Sequence, residues 1–419
     1  MVRSKFFLWT YYIHMVLGVW LFFSPETFGY QSEILIWSDR ISGILLILFG
    51  WWGRRNPYWN WAILMVGLWM QASPLIFWAP EAACYINGTL IGVFVIALSF
   101  LVVDPPGTEP DAGPGLPSGW SYNPSSWAQR FPIAVLALLC WMISRYLAAF
   151  ELGYIKEVWD PFFDQGTRDV LTSSISKAFP VADAGLGALA YTLEFLTTCQ
   201  GGTRRWRTSP WMVLVFGILV IPVSLTSVLL IISQPLIVGH WCTLCLVTAV
   251  LMLIGIPWAI DEVVLVYQFI KKVPKGERWR VFFLGGDCPG STEDHRSPPM
   301  DASFRTLWKA SIWGMSFPWN LLCSVIVGLA LMVMPKMWGL SGWLLGLDLV
   351  LGAFGVVVAV ISFAEHTRQF RWMNVLFGAI LLAGTAVTGT WVSVQIGLPL
   401  LLVLLAIPRG KFFERSTLQ

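Results

Sequence analysis

Long apolar runs separated by short polar breaks organise this chain of 419 residues. A hydrophobic helix needs about 20 residues to cross a bilayer, and somewhat fewer when its flanks adjust. By that measure twelve runs qualify as spans. Four lie at about 7–23, 38–53, 58–79 and 88–103, and four more at about 131–152, 184–200, 211–233 and 239–260. The last four fall near 316–334, 341–363, 371–389 and 391–407. Residues 104–130, rich in Pro, Gly and Ser, cannot pack as a span and read as a cytoplasmic linker. Residues 273–312, polar and broken by Pro289, Pro298 and Pro299, form a second one. The pattern predicts an all-α polytopic membrane protein in three blocks: four spans in 1–103, four in 131–272 and four in 313–419.

Composition agrees. Hydrophobic residues make up 56% of the chain and charged ones 12%, about half the charge share of soluble domains. The 25 Trp and 27 Phe suit a protein rich in interfacial aromatics. A net charge of +3 carries no sign of nucleic-acid binding, because the basic residues sit in short loops. The apolar stretch after Met1–Lys5 leads to Ser24-Pro25-Glu26 rather than to a small-residue cleavage site, so it reads as a retained first span. In a twelve-span arrangement, Arg3, Lys5, Arg54, Arg55, Arg204, Arg205, Arg207, Lys271, Lys272 and Lys275 all fall on one side, joined by Arg368, Arg371, Arg409 and Lys411. The positive-inside rule makes that side, and both termini, cytoplasmic.

The outer blocks repeat each other. Val16-Leu17-Gly18, then Ser24-Pro25 and Phe28-Gly29, are matched by Ile326-Val327-Gly328, then Met334-Pro335 and Trp338-Gly339. Asp39 and Gly43 correspond to Asp348 and Gly352, and Trp61 and Gly67 to Trp372 and Gly378. An offset near 310 residues points to a duplicated four-span bundle. These copies resemble the SPW-repeat family, although Glu26 and Leu75 replace the Trp after Ser24-Pro25 and Ser73-Pro74, and the later copy keeps Pro335 without the Ser. That family implies no particular chemistry.

The middle block carries the candidate chemistry. Gly239-His240-Trp241 leads into Cys242-Thr243-Leu244-Cys245, at the mouth of an apolar run reaching Pro257 without a charge. Cysteines three apart share one helical face and can close as a disulfide. The twelve-span arrangement puts them at the outer face, where disulfides persist. Helix N-terminal amides there favour a Cys242 thiolate, and a protonated His240 would add to this. Two other readings stay open: a pair of small apolar residues in a lipid-facing helix, or a zinc site on His240, Cys242 and Cys245, which lacks a fourth ligand nearby.

From about 131 to 265 this block resembles the vitamin K epoxide reductase family. The resemblance rests on Trp159-Asp160-Pro161 through Thr172-Ser173-Ser174, on Pro180 and Ala184-Gly185-Leu186-Gly187, on Tyr191, and on the Cys242–Cys245 motif. It implies a four-helix bundle around a quinone, of the ubiquinone or menaquinone type, with Cys242 as the exposed attacker and Cys245 facing the quinone. Ser173, Ser174 and Asp183 are the implied lining. The chain departs from the family in three places. The outer loop has no relay cysteines, with Trp159 and Thr167 standing where they would be by register. Asp183 and Ala249 replace the usual Asn and Tyr near the quinone.

The expected function is therefore a thiol–disulfide oxidoreductase passing electrons from an extracytoplasmic thioredoxin-fold or other thiol protein through Cys242–Cys245 to a membrane quinone. Without relay cysteines, a thiol protein attacks directly or Cys84 substitutes. The rival expectation is a non-catalytic membrane scaffold or transporter built on a degenerate domain of this family. A bacterial inner membrane is the expected location. Arg145 within the fifth span is expected to snorkel toward Glu151 or an outer-loop acid, and Glu194 to pair with Arg204 or Arg205. Asp39 and Asp348 are expected to cap helix starts.

Overall fold

The computed structural model describes residues 8–102, 115–116, 119–177, 180–288, 290–340, 342–388 and 393–408. Arg3, Lys5, Arg409 and Lys411 lie outside them. The first four helices are α1 (Leu8–Phe28), α2 (Glu33–Gly53), α3 (Trp59–Ile76) and α4 (Ala82–Val102). Then come α5 (Trp127–Glu151), α6 (Gly166–Thr172), α7 (Asp183–Cys199), α8 (Arg205–Thr208), α9 (Pro210–Ser233) and α10 (Thr243–Lys272). After α11 (Arg278–Leu284) and α12 (Phe304–Ser311) follow α13 (Trp319–Met337), α14 (Trp343–Ile361), α15 (Met373–Thr388) and α16 (Ser393–Ala406).

The protein is an all-α polytopic membrane protein. Each expected span falls on a helix, and among the described residues eight segments are long and apolar enough to cross a bilayer by length and composition. Residues such as Val16, Phe23, Ile34, Trp37 and Ile41 are exposed on α1 and α2. Lipid, unlike water, accommodates such contiguous apolar faces without cost.

The chain forms two compact units: Met1–Thr108, Ala137–Gln200 and His240–Leu244 make one, and Glu109–Leu136, Gly201–Gly239 and Cys245–Gln419 the other. In the first unit α1 packs on α2 and α4, and α3 on α2 and α4, closing a ring of four helices. The cause is local. A Cβ on Gly18 would stand 2.5 Å from the carbonyl oxygen of Gly43, so only glycine lets these two backbones meet. Tyr11, Leu21, Leu46, Ile63, Met70 and Val95 fill the interior.

The second unit contains a ring with the same neighbour order, α13 to α14, α14 to α15, α15 to α16, and α16 back to α13. Gly328 and Gly352, the repeat counterparts of Gly18 and Gly43, again meet backbone to backbone; a Cβ on either would lie 2.8 Å from the other's carbonyl oxygen. The duplication read from the sequence thus has a physical basis in one close helix crossing used twice.

Asp39 and Asp348 are not caps. The helices begin earlier than expected, with Ser32 and Gly342 at their N-cap positions, which puts both carboxyls inside their helices and buried. Asp348 accepts a hydrogen bond from the Gln395 side chain instead.

The polar segments are not loose. In the second unit Glu262 of α10 is buried against Arg205, with bonds of 2.5 and 2.7 Å, and accepts from the Ser125 hydroxyl at 2.5 Å. Its neighbour Asp261 accepts the Tyr122 hydroxyl at 2.5 Å and lies 3.3 Å from His366 Nδ1. Trp120 stacks on that imidazole with ring centroids 4.3 Å apart. Buried charges persist only when paired and hydrogen-bonded, and here Arg205 and His366, with Tyr122 and Ser125, supply the partners.

Candidate redox site

Gly239 adopts the left-handed conformation, φ 80°, at the end of the π-helical turn Gln234–Val238 after α9. Glycine takes that conformation without steric cost. The chain then passes through His240 and Trp241 to Cys242, and α10 starts at Thr243. Cys242 and Cys245 are disulfide-bonded, whereas Cys84, Cys140, Cys199, Cys288 and Cys323 form no disulfide.

Cys242 is 0% exposed and Cys245 is half-buried. This reverses the expectation that Cys242 is the exposed member. The loop between α5 and α7 holds the residues on either side of Cys242. Asp160 Oδ2 accepts the Thr167 amide and hydroxyl, each at 2.7 Å. Asp160 Oδ1 accepts the Phe163 amide at 3.0 Å and the Thr243 hydroxyl. Thr167 Oγ1 in turn accepts the Thr243 amide at 3.2 Å. A Cβ on Gly166 would collide with the carbonyl oxygen of Trp241, so the start of α6 lies directly on that peptide. The loop therefore grips residues 241–243 through one carboxylate, one hydroxyl and one close backbone contact.

Two consequences follow for the disulfide. The Thr243 amide, one of the helix-terminal donors expected to stabilise a Cys242 thiolate, is already taken by Thr167. His240 Nε2 stands 3.6 Å from Asp169 Oδ2 of the same loop, with both side chains exposed. Burial pushes the Asp160 carboxyl up, but hydrogen bonds from Thr243, Thr167 and Phe163 outweigh it and hold the group down at about 2. Asp160 is thus a carboxylate throughout the physiological range.

The far end of the same loop meets α5 and α7. The Ser176 hydroxyl lies 2.8 Å from Glu151 Oε1 and 3.1 Å from Asp183 Oδ1, and the Ala184 amide donates to Glu151 Oε2 at 3.1 Å. A hydroxyl has one proton and serves one acceptor at a time. The expected lining residues are dispersed by comparison: Ser173 donates to the Val170 carbonyl at 2.7 Å and closes α6, Ser174 is exposed, and Asp183 opens α7. The buried serine is Ser176, which the reading of a Ser173–Ser174 pair passed over.

Arg145 does not reach Glu151. Its guanidinium donates to Thr89 Oγ1 at 2.7 Å and lies over the rings of Tyr85 and Trp141, 4.9 and 5.3 Å from their centroids. Glu194 keeps Oε2 without a hydrogen-bond partner, and Arg205 pairs with Glu262 instead. Cys84 is 1% exposed, within a cluster of Tyr30, Leu35, Leu75, Tyr85 and Ala148, which leaves it no surface for thiol exchange. A cavity of ≈ 370 Å³ is lined by Phe269, Lys272, Glu277, Arg280, Asp287 and Cys288. Phe269 stands about 36 Å along α10 from Cys245 at 1.5 Å per residue, so this cavity is remote from the sulfurs.

The site is thus a disulfide at the mouth of one helix of an apolar bundle, its flanking residues gripped by a polar loop. Residues 131–260 match the vitamin K epoxide reductase family, and residues 8–102 match the SPW repeat domain. The first of these matches suggests a function of membrane-oxidoreductase type. No curated protein and no solved structure matches it significantly.

Proposed function

We propose that the protein is a membrane thiol–disulfide oxidoreductase in which Cys242–Cys245 accepts two electrons from an extracytoplasmic protein dithiol and passes them to a membrane quinone. The observation that carries this reading is the disulfide itself, at the first turn of α10 within the segment that matches the family. The balance is simple. A dithiol partner becomes a disulfide as Cys242–Cys245 opens to two thiols, and the quinone gains two electrons and two protons as the pair recloses.

The buried state of Cys242 refines the reading. A partner reaches the disulfide through Cys245 or after the loop has lifted from residues 241–243. The absence of cysteines from residues 152–182 makes direct attack by the partner the route. The twelve-span arrangement, cytoplasmic termini, the bacterial inner membrane and the boundaries of the three blocks belong to the same proposal. The flanking four-helix rings serve as its frame.

Thiol trapping tests it. In cells holding the protein, Cys242 and Cys245 should be labelled by a maleimide only after reduction, and Cys245→Ser should abolish oxidation of a reporter dithiol. A pair that stays reduced in vivo, or a Cys245→Ser variant as active as the parent, favours a scaffold instead.

A further inference from the structure

Helix α12 lies inside the stretch expected to be a linker, yet it carries the marks of a surface-bound membrane helix. At 100° per residue, Phe304, Leu307 and Trp308 share one face, with Arg305 and Lys309 beside it. Phe304 is 74% and Trp308 55% exposed, and their rings stack with centroids 6.4 Å apart. In water that face would gain by burial, and among the described residues Phe304 and Trp308 stay largely uncovered.

Its depth is set by two anchors on its last turn. Gln129 Nε2 donates to the Ala310 carbonyl at 2.7 Å, and Trp258 Nε1 donates to the Ser311 carbonyl at 2.6 Å. Gln129 sits in the first turn of α5, a helix of 25 residues. That length exceeds the hydrocarbon core of a bilayer, so the first turn emerges at the membrane surface. Seven residues after α12, α13 begins at Trp319; Phe317 and Trp319 are exposed there too, as residues of an interfacial aromatic belt would be. Helix α12 is thus tied at the level where α5 and α13 begin.

A second exposed aromatic face helps to judge this. On α11, Trp279 and Phe283 stack and stand in the open. But Arg278 of α11 is hydrogen-bonded to the Lys271 and Val273 carbonyls at the very end of α10. Lys271 is roughly 20 Å further along α10 than Trp258. The same aromatic pattern therefore sits beyond the membrane surface on α11 and at it on α12.

We propose that α12 lies in the headgroup layer and binds anionic phospholipid, with Phe304 and Trp308 entering the acyl boundary and Arg305 and Lys309 pairing with phosphates. Charge selects the partner: the helix holds two cations and no acid, and Arg and Lys on a polar flank favour an anionic leaflet. The proposal concerns a different part of the molecule from the disulfide and stands whether or not quinone is reduced.

Hydrogen exchange of the full chain in nanodiscs tests it. Peptides covering residues 304–309 should exchange about tenfold more slowly in phosphatidylcholine discs containing phosphatidylglycerol than in phosphatidylcholine alone. Arg305→Gln with Lys309→Gln, a surface change with no buried group, should erase that difference. Phe304→Ser with Trp308→Ser should speed exchange in both lipids. Peptides covering residues 278–284 should be indifferent to lipid charge. Equal exchange of α12 in the two discs, or an equal response from α11, overturns the proposal.

Discussion

Replacing Asp160 by Asn should release the loop from the disulfide and speed its reduction. The carboxylate accepts the Thr167 amide and hydroxyl on one oxygen and the Phe163 amide and Thr243 hydroxyl on the other. Asn keeps one accepting oxygen and turns an N–H₂ toward the donors that faced the second. At least two charge-assisted hydrogen bonds are lost. Each such bond contributes about 1.5–3 kcal/mol when well shielded, and partial exposure to solvent lowers that toward about 1 kcal/mol. A total near 2 kcal/mol raises the population of the lifted loop roughly 30-fold, since 1.4 kcal/mol is a factor of ten. If reduction passes through that lifted form, its rate rises in proportion. The assay is reduction of the purified protein by a small phosphine, stopped with a maleimide that adds mass to each freed thiol. A rate within twofold of the parent would refute the claim that this loop guards Cys242.

The remaining predictions draw on the same contacts and on the frame. Gly166→Ala puts a methyl against the Trp241 carbonyl and should accelerate phosphine reduction in the same assay, whereas Thr172→Ala, whose hydroxyl bonds only within α6, should leave it unchanged. The Asp160 carboxyl is held below its usual value, so its contribution is complete above about pH 4 and fades as pH falls through about 2. Reduction by phosphine, corrected for phosphine protonation, should therefore be flat from pH 8 to about 4 and rise only below that. Arg205→Met strands the buried Glu262 carboxylate and should cost about 3–5 kcal/mol, read as a lower midpoint in thermal unfolding in detergent. Gly352→Val forces a side chain against the Gly328 carbonyl and should destabilise by about 1–3 kcal/mol, measured the same way.

Much of this architecture was legible in the order of apolar runs. Every expected span lies on a helix, because runs of this length leave the backbone no option in lipid except to satisfy itself. The repeated glycines were legible too: a backbone crossing that excludes Cβ leaves the same trace at Gly18 and Gly43 as at Gly328 and Gly352. The disulfide pair Cys242–Cys245 announced itself by spacing. What the sequence concealed was set by partners distant along the chain. The hold on the residues flanking Cys242 depends on Asp160 and Thr167, some 80 residues earlier, and no periodicity reports such a grip. Asp39 and Asp348 looked like caps because the polar residue seemed to open the apolar run; the helices extend outward past them. The stretch 273–312 looked like a tether, since its buried contacts run through backbone carbonyls, such as those of Ala310 and Ser311, that any residue type can supply.

The most direct test supplies one substrate and counts the product. The full chain, with Cys242–Cys245 first reduced and the reductant removed, is placed in liposomes containing menaquinone or ubiquinone, and quinol is quantified as the disulfide reforms. One quinol per reclosed Cys242–Cys245 pair, and none from Cys242→Ser, is the result predicted here. Reoxidation without quinol, or equal quinol from Cys242→Ser, contradicts the proposed electron route.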